Sequence, residues 1–404
     1  MDMQMNLTES WQLLGECIGP QTSNDAAHTN GTGKLARADR AWRALFSNRP
    51  RPLLLPANNR KAQQNGVRFF LPELWRNCYA RARLHAHHLL GERARLPLLT
   101  LPPAISSTLT DSLALTDSPQ FAFLIGTPGP YQKAAMLVMS AHGEPKSLAK
   151  IALGPQANDM VSNEASWLRT LSAHSEIKDS VPQLLREGST RNGYRYIAQS
   201  IVNGRPCSGN FTPAHAVFLQ RLGTIDCQVG TFSNAPIYRA LQDNLSRLAP
   251  LISQSRYLFL QTALRECAHT LNGWRGPFTI SHGDFAFWNI RKAAGHIFVF
   301  DWEYATRGTP PLFDLLHFHL IAPAASGRVL RVRDMKHALS PARAFSLLTY
   351  PEFHWSPAIV AAHGLAYLLN TLIFYGVSRG EFVESHPVVR SYCQLIEERS
   401  QWLS

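Results

Sequence analysis

Cysteine is sparse. The 404 residues hold six, Cys17, Cys78, Cys207, Cys227, Cys267 and Cys393, and no two stand in a C-x-x-C pair. That spacing excludes a structural zinc site and a disulfide framework, and it predicts reduced, mostly buried thiols. No run of about 18 apolar residues occurs, so no bilayer-spanning segment is expected. The opening MDMQMNLTESW lacks the basic-then-apolar order of a secretory signal, which predicts a cytoplasmic location. No internal repeat is found. What remains is ordinary globular composition, 45% hydrophobic, enough for one large core or two domains.

Acidic residues are also short: 28 Asp and Glu stand against 40 Lys and Arg, a net charge of +12. The imbalance is local. From Lys34 to Arg95 fourteen basic residues face three acids (Asp39, Glu73 and Glu92), so this segment carries +11 of the total. A basic patch can bind nucleic acid, anionic lipid or an acidic substrate. Arg scattered along helices reads instead as a solvated face, and nucleic acid is not the expected partner. Three histidines in LHAHHLL (His85, His87 and His88) have no Cys or Asp to complete a metal shell, and neighbouring helix positions point apart.

Residues 1–36, including GPQTSNDAAHTNGTGK, have the composition of a flexible arm. Residues 37–115 mix helical patterns (RADRAWRALF, PELWRNCYARARLHAHHLLGERARL) with the Pro-bounded piece RPRPLLLP, which predicts an appended basic subdomain. Over 116–206 the pattern changes to FAFLIG, AAMLVMS and SLAKIAL separated by short polar turns, a β-meander. MVSNEASWLRTLSAH then has helical spacing, with Ser162 or Asn163 as its cap, and YRYIAQSIV reads as a strand. Residues 207–404 are mostly helical, with RYLFLQTALRECAHTLNGW the clearest case, interrupted by SHGDFAFWNI and HIFVFDW.

Those two interruptions hold polar groups in apolar surroundings: Asp284, Asn289 and Asp301. Phosphoryl transfer needs hard oxygen ligands for Mg²⁺ and a carboxylate to orient or deprotonate the attacking hydroxyl. Asp284 would be that base, Asn289 a ligand through its amide oxygen, and Asp301 the principal metal carboxylate. The residues between Asn289 and Asp301 suit a hairpin with AAGH at its turn.

HGD-x-x-x-x-N followed by an apolar strand and DWEYA resembles the aminoglycoside phosphotransferase and choline kinase family, which shares the protein-kinase fold. The resemblance extends over roughly residues 120–320. It implies an α+β, two-lobed architecture, with a small antiparallel-sheet N-lobe, a large helical C-lobe and, here, a basic N-terminal extension. It implies ATP and Mg²⁺ as cofactors and a small-molecule hydroxyl as acceptor. FLIGTPGPYQK resembles the nucleotide-covering loop, in which Gly126 and Gly129 let backbone N–H groups approach phosphates. Lys150 sits where the family contacts the α- and β-phosphates, and Glu164 where its helix partner lies. IAQSIVNGRP matches the segment that binds adenine through its backbone, near Gln199 and Ile201. Asp314 in GTPPLFDLLHF would brace the catalytic loop, His282 would support it, and Glu303 and Tyr304 would pack nearby.

Each feature has a plainer reading. Asp284 and Asn289 could be a cap and a turn residue, Lys150 a solvated edge residue, Gly126 and Gly129 an ordinary hairpin turn. Their occurrence in one order, with workable spacings, favours a nucleotide site. An idle kinase-like domain that binds partners through its basic segment is the competing class. Polycationic acceptors favour an acid-lined site, yet from residue 310 onward there are seven acids and eight Lys plus Arg, so a neutral or anionic acceptor is expected.

Overall fold

The computed structural model describes residue 14 and residues 41–46, 51–71, 74–90, 96–100, 118–190, 192–201, 204–293 and 295–403. The arm expected over 1–36 lies outside them save for Leu14, as does Cys17. The described residues divide into two compact units, one within Met1–Thr170 and Pro182–Val202, the other within Leu171–Val181 and Asn203–Ser404.

The first unit runs β1 (Ala41–Leu45), β2 (Leu53–Pro56), α1 (Arg60–Phe70), α2 (Leu74–Leu90), β3 (Leu98–Thr100), β4 (Gln120–Ile125), β5 (Lys133–Met139), β6 (Pro145–Ala152), α3 (Pro155–Ser172), β7 (Leu184–Ser189) and β8 (Arg195–Ser200). Its strands form one antiparallel sheet ordered β3-β1-β2-β4-β5-β6-β8-β7. Side chains alternate between faces, so a strand covered on both sides reads as a continuous apolar run. Leu53, Leu54 and Leu55 are such a run, all fully buried. Leu54 joins Trp42, Phe121, Phe123, Met136 and Ile151 on one face. Leu53 and Leu55 join Leu137 and Met139 on the other, under Val67 of α1 and Leu84 of α2.

Three expectations change here. The segment 37–115 contributes β1, β2 and β3 to the sheet that holds β4–β8, so its described part is integral to this unit rather than appended to it. AWRAL, expected as helix, is strand β1: its i, i+3 apolar spacing also fits a strand whose two faces are both buried, and pairing with β2 and β3 decides the matter. Helix α3 starts at Pro155 rather than at Ser162 or Asn163. Proline is suited to a first helical turn, where its missing N–H has no partner to lose. Ser162 lies inside the helix and accepts from Arg195 Nε at 3.2 Å.

The second unit runs β9 (Arg205–Pro206), α4 (Pro213–Ile225), β10 (Gln228–Thr231), α5 (Pro236–Leu248), α6 (Gln254–Thr270), β11 (Arg275–Ser281), β12 (Ile290–Ala293), β13 (His296–Val299), β14 (Thr306–Thr309), α7 (Phe313–Ala325), α8 (Val332–Thr349), α9 (Pro357–Arg379) and α10 (Pro387–Glu397). Helix α9 packs against α5, α6, α7, α8 and α10. Ser356 caps its start, accepting from Ile359 N at 3.2 Å, and Gly380 ends it at φ 67. Two small sheets, β10-β11-β14 and β13-β12-β9, carry the polar loops.

By length and composition α9 could cross a membrane, against the expectation of no such segment. Gly364, Asn370 and Thr371 interrupt its apolar run in the sequence. Most of the helix is buried within the second unit, as a helix apolar on nearly every side must be when it forms a core. The described cysteines are all free, Cys207, Cys267 and Cys393 buried and Cys78 and Cys227 exposed.

Candidate functional site

Strand β11 delivers its chain to a polar loop, residues 282–289, before β12 begins. Asp314, in the first turn of α7 and almost fully buried, holds the loop's root. Its Oδ2 accepts from His282 N at 2.7 Å, and its Oδ1 accepts from Ser281 Oγ at 2.8 Å and Gly283 N at 3.1 Å. A buried carboxylate is tolerable with such a set of donors. Gly283 is required by close approach: its φ is 79, and a Cβ there would lie 2.4 Å from the carbonyl oxygen of Tyr304.

His282 is fully buried. Its Nε2 meets the Phe300 carbonyl at 3.1 Å while Nδ1 accepts from Asp284 N at 3.2 Å. A ring that accepts at Nδ1 and faces a carbonyl at Nε2 is the neutral, Nε2-protonated tautomer. It ties the loop to Phe300, the residue after β13, the supporting role expected of His282.

Asp284 keeps its side chain 26% exposed. Both carboxylate oxygens are nonetheless engaged: Oδ2 accepts from Asn289 Nδ2 at 2.8 Å, and Oδ1 meets His317 Nε2 at 2.9 Å. Asn289 Nδ2 also reaches the Asp284 carbonyl at 3.0 Å. Neither residue is a helix cap. With the amide nitrogen committed to Asp284, the amide oxygen of Asn289 is the atom left for other chemistry.

The β12–β13 hairpin pairs Ile290 with Val299, and Phe300 N donates to Asn289 O at 3.1 Å. That register brings Asn289 beside the start of the Asp301 turn. Asp301 has φ 73 and ψ 59, one of two non-glycine residues with positive φ among the described residues. Such a conformation is costly away from Gly, Asn and Asp and is held by its surroundings. Trp302, fully buried, supplies the hold by donating Nε1 to Val299 O at 3.1 Å. A carboxylate oxygen of Glu303 comes within 4.8 Å of one of Asp301. Tyr304 packs edge-on against Phe374.

In the first unit, Lys150 of β6 and Glu164 of α3 form a buried ion pair, with Nζ 2.7 Å from both carboxylate oxygens. Lys150 is thus no solvated edge residue. Desolvating two charges is repaid only by such close geometry, and losing either partner strands the other. Gly126 N donates to Lys133 O at 2.7 Å, and a Cβ on Gly126 would lie 2.8 Å from that oxygen. Gly129 has φ 145 and open space around it. Gln199 in β8 is buried with neither side-chain amide atom hydrogen-bonded among the described residues, and Ile201 packs against the helix-covered core.

Sequence reasoning missed His317. It lies one helical turn beyond Asp314, and that i, i+3 spacing on a mostly apolar helix, which also carries His319, was the available signal. Its neighbours, Tyr367 on α9 and Tyr392 on α10, carry no local signal, because only packing of the helices brings them near.

Solved structures resemble this chain in fold. A thermostable mutant of aminoglycoside phosphotransferase APH(4)-Ia, solved in its apo form, is 14% identical with TM-score 0.51, over 73% of this chain and 99% of that one. A further mutant form of that enzyme, solved with ADP and hygromycin B, is 15% identical with TM-score 0.50, over 73% and 98%. No match was found among curated proteins. The likeness shows the fold, an α+β, protein-kinase-like one. The model of the phosphotransferase enzyme family matches residues 138–345, more than half of the sequence, and the chain belongs to that family.

Proposed function

We propose that this phosphotransferase is an ATP- and Mg²⁺-dependent kinase that phosphorylates a hydroxyl of a small molecule such as a sugar, an amino alcohol or a glycan precursor. The observation that carries the reading is Asp284: a carboxylate pinned at both oxygens, on a loop braced by Asp314, yet open to an incoming hydroxyl. The acceptor oxygen attacks the γ-phosphorus as the bond to the β,γ-bridging oxygen breaks, and the hydroxyl proton passes to Asp284. ADP and the phosphorylated acceptor are the products.

The residues fit a hard cation. Asp301 with the free amide oxygen of Asn289 is a set of oxygen donors suited to Mg²⁺, and Glu303 stands beside them. When bound, Mg²⁺ neutralises phosphate charge. Lys150, paired with Glu164, would contact the α- and β-phosphates; Gly126 and Gly129 would let the backbone approach them; Gln199 and Ile201 would flank the adenine. These nucleotide roles rest on the family resemblance. The near balance of charge from residue 310 onward favours a neutral or anionic acceptor.

Turnover of Mg-ATP with a panel of acceptor hydroxyls tests the proposal, beside thermal melting with ATP in the presence and absence of Mg²⁺. Stabilisation by ATP should require Mg²⁺ and should vanish in Asp301→Ala. An undiminished melting shift in that variant would refute the metal assignment. Absence of transfer to any hydroxyl, with nucleotide binding intact, would favour the idle binding module.

A further inference from the structure

Beyond Asp284, a chain of hydrogen bonds runs into the core of the second unit. His317 Nε2 is 2.9 Å from Asp284 Oδ1, His317 Nδ1 is 3.1 Å from Tyr367 Oη, and Tyr367 Oη is 2.7 Å from Tyr392 Oη. The two phenols are all but inaccessible to solvent, and burial raises both their pKa values, so they stay protonated. Two phenolic protons and an imidazole must therefore share these contacts.

Nε2 faces a carboxylate oxygen at 2.9 Å, a contact that needs a proton on the ring nitrogen, because the carboxylate, read as a base, has none to give. Tyr392 can donate to Tyr367, which also has Thr371 as a side-chain hydrogen-bond partner, so both phenols are satisfied without dictating the state of Nδ1.

We infer that His317 is a positioning residue for Asp284, its ring held by Tyr367 at Nδ1 and donating Nε2–H to the carboxylate. This inference rests on the reading of Asp284 as the base. Two donors, Asn289 on one oxygen and His317 on the other, fix the plane of the carboxylate. The remaining lone pairs are thereby aimed at the acceptor hydroxyl. The same polarity forbids a relay: Nε2 already bears its proton, so His317 cannot take there the proton that Asp284 receives. That proton leaves from Asp284 to solvent.

The test uses the full chain with nitrogen-15-labelled histidine. The ring resonances absent from His317→Gln identify His317, and they should report an Nε2-protonated ring whose N–H signal shifts in Asp284→Asn. A ring protonated at Nδ1 alone would overturn the inference. In parallel, Mg-ATP turnover with water as acceptor is measured for His317→Phe, with its fold checked by thermal melting. The expected result is kcat lower by about 10- to 100-fold, the scale of a misplaced reacting group, with KM for Mg-ATP unchanged. Partial recovery is expected in His317→Gln, whose amide nitrogen can reach the Nε2 position. Parental kcat in folded His317→Phe while Asp284→Asn is inactive would overturn the positioning role alone. Parental kcat in Asp284→Asn would overturn the reading of the base, and the tautomer would still be decided by its resonances.

Discussion

Asn289 turns its side-chain amide onto Asp284, reaching the carbonyl at 3.0 Å and the carboxylate at 2.8 Å, so the proposed base and the proposed metal ligand are one hydrogen-bonded unit. Because Asp284 meets the acceptor rather than the nucleotide, Asp284→Asn should leave ATP affinity nearly unchanged and lower turnover by roughly 10²-fold or more. Asp301→Ala should lose both. Nucleotide affinity measured beside kcat separates the two, and full turnover by Asp284→Asn would end the mechanism.

The Lys150–Glu164 pair makes a prediction about stability. Lys150→Met leaves the Glu164 carboxylate buried without its partner and should cost about 3–5 kcal/mol. Lys150→Met with Glu164→Leu should recover much of that loss while nucleotide binding stays weak. Urea unfolding of the two variants gives the comparison; a double variant no more stable than the single one would contradict it.

Gly283→Ala places a methyl group against the Tyr304 carbonyl at a φ of 79. A strained backbone of this kind costs about 1–3 kcal/mol. Since the next residue is Asp284, turnover should fall by more than thermal stability alone accounts for. Wild-type kcat in this variant would show that the loop tolerates displacement.

Three histidines of the second unit are held neutral by burial: His363 at a pKa of about 3, His215 and His319 at about 4. Their folded values lie below the ordinary 6.5, so the unfolded chain binds protons that the folded chain does not. Stability should therefore fall as pH drops below about 6.5, by up to about 1.4 kcal/mol per pH unit for fully buried His363, with His215 and His319 adding in the same direction. Neither ring nitrogen of His363 has a hydrogen-bond partner among the described residues, and Trp274 and Trp355 flank the ring. His363→Leu should thus stabilise the protein by about 1 kcal/mol at neutral pH and flatten its acid dependence. Denaturant midpoints across that pH range check both statements; an unchanged acid slope would count against them.

A chain beginning at residue 116 would lack β1, β2, β3, α1 and α2. It would leave one edge of β4 unpaired and uncover Ala122, Leu137 and Met139. It should aggregate, as light scattering of the purified fragment would show. A soluble, cooperatively melting fragment would mean that β4–β8 fold alone.

Much of the candidate site was legible from the chain alone because it is local. HGD-x-x-x-x-N puts Asp284 and Asn289 within one loop, the hairpin that follows leads to Asp301, and short strands bounded by turns announced β4, β5 and β6. Spacing of that kind is set by backbone geometry within a few residues. Tertiary structure decided the rest. Trp42 and Leu45 have a helix-like separation, and only pairing with β2 and β3 makes their segment a strand. The membrane-like composition of α9 is explained by the helices that bury it. His317, Tyr367 and Tyr392 stand far apart in sequence and meet only because α7, α9 and α10 pack together. Hydrogen bonds between distant residues leave no periodicity to read, since their partners are chosen by packing rather than by distance along the chain.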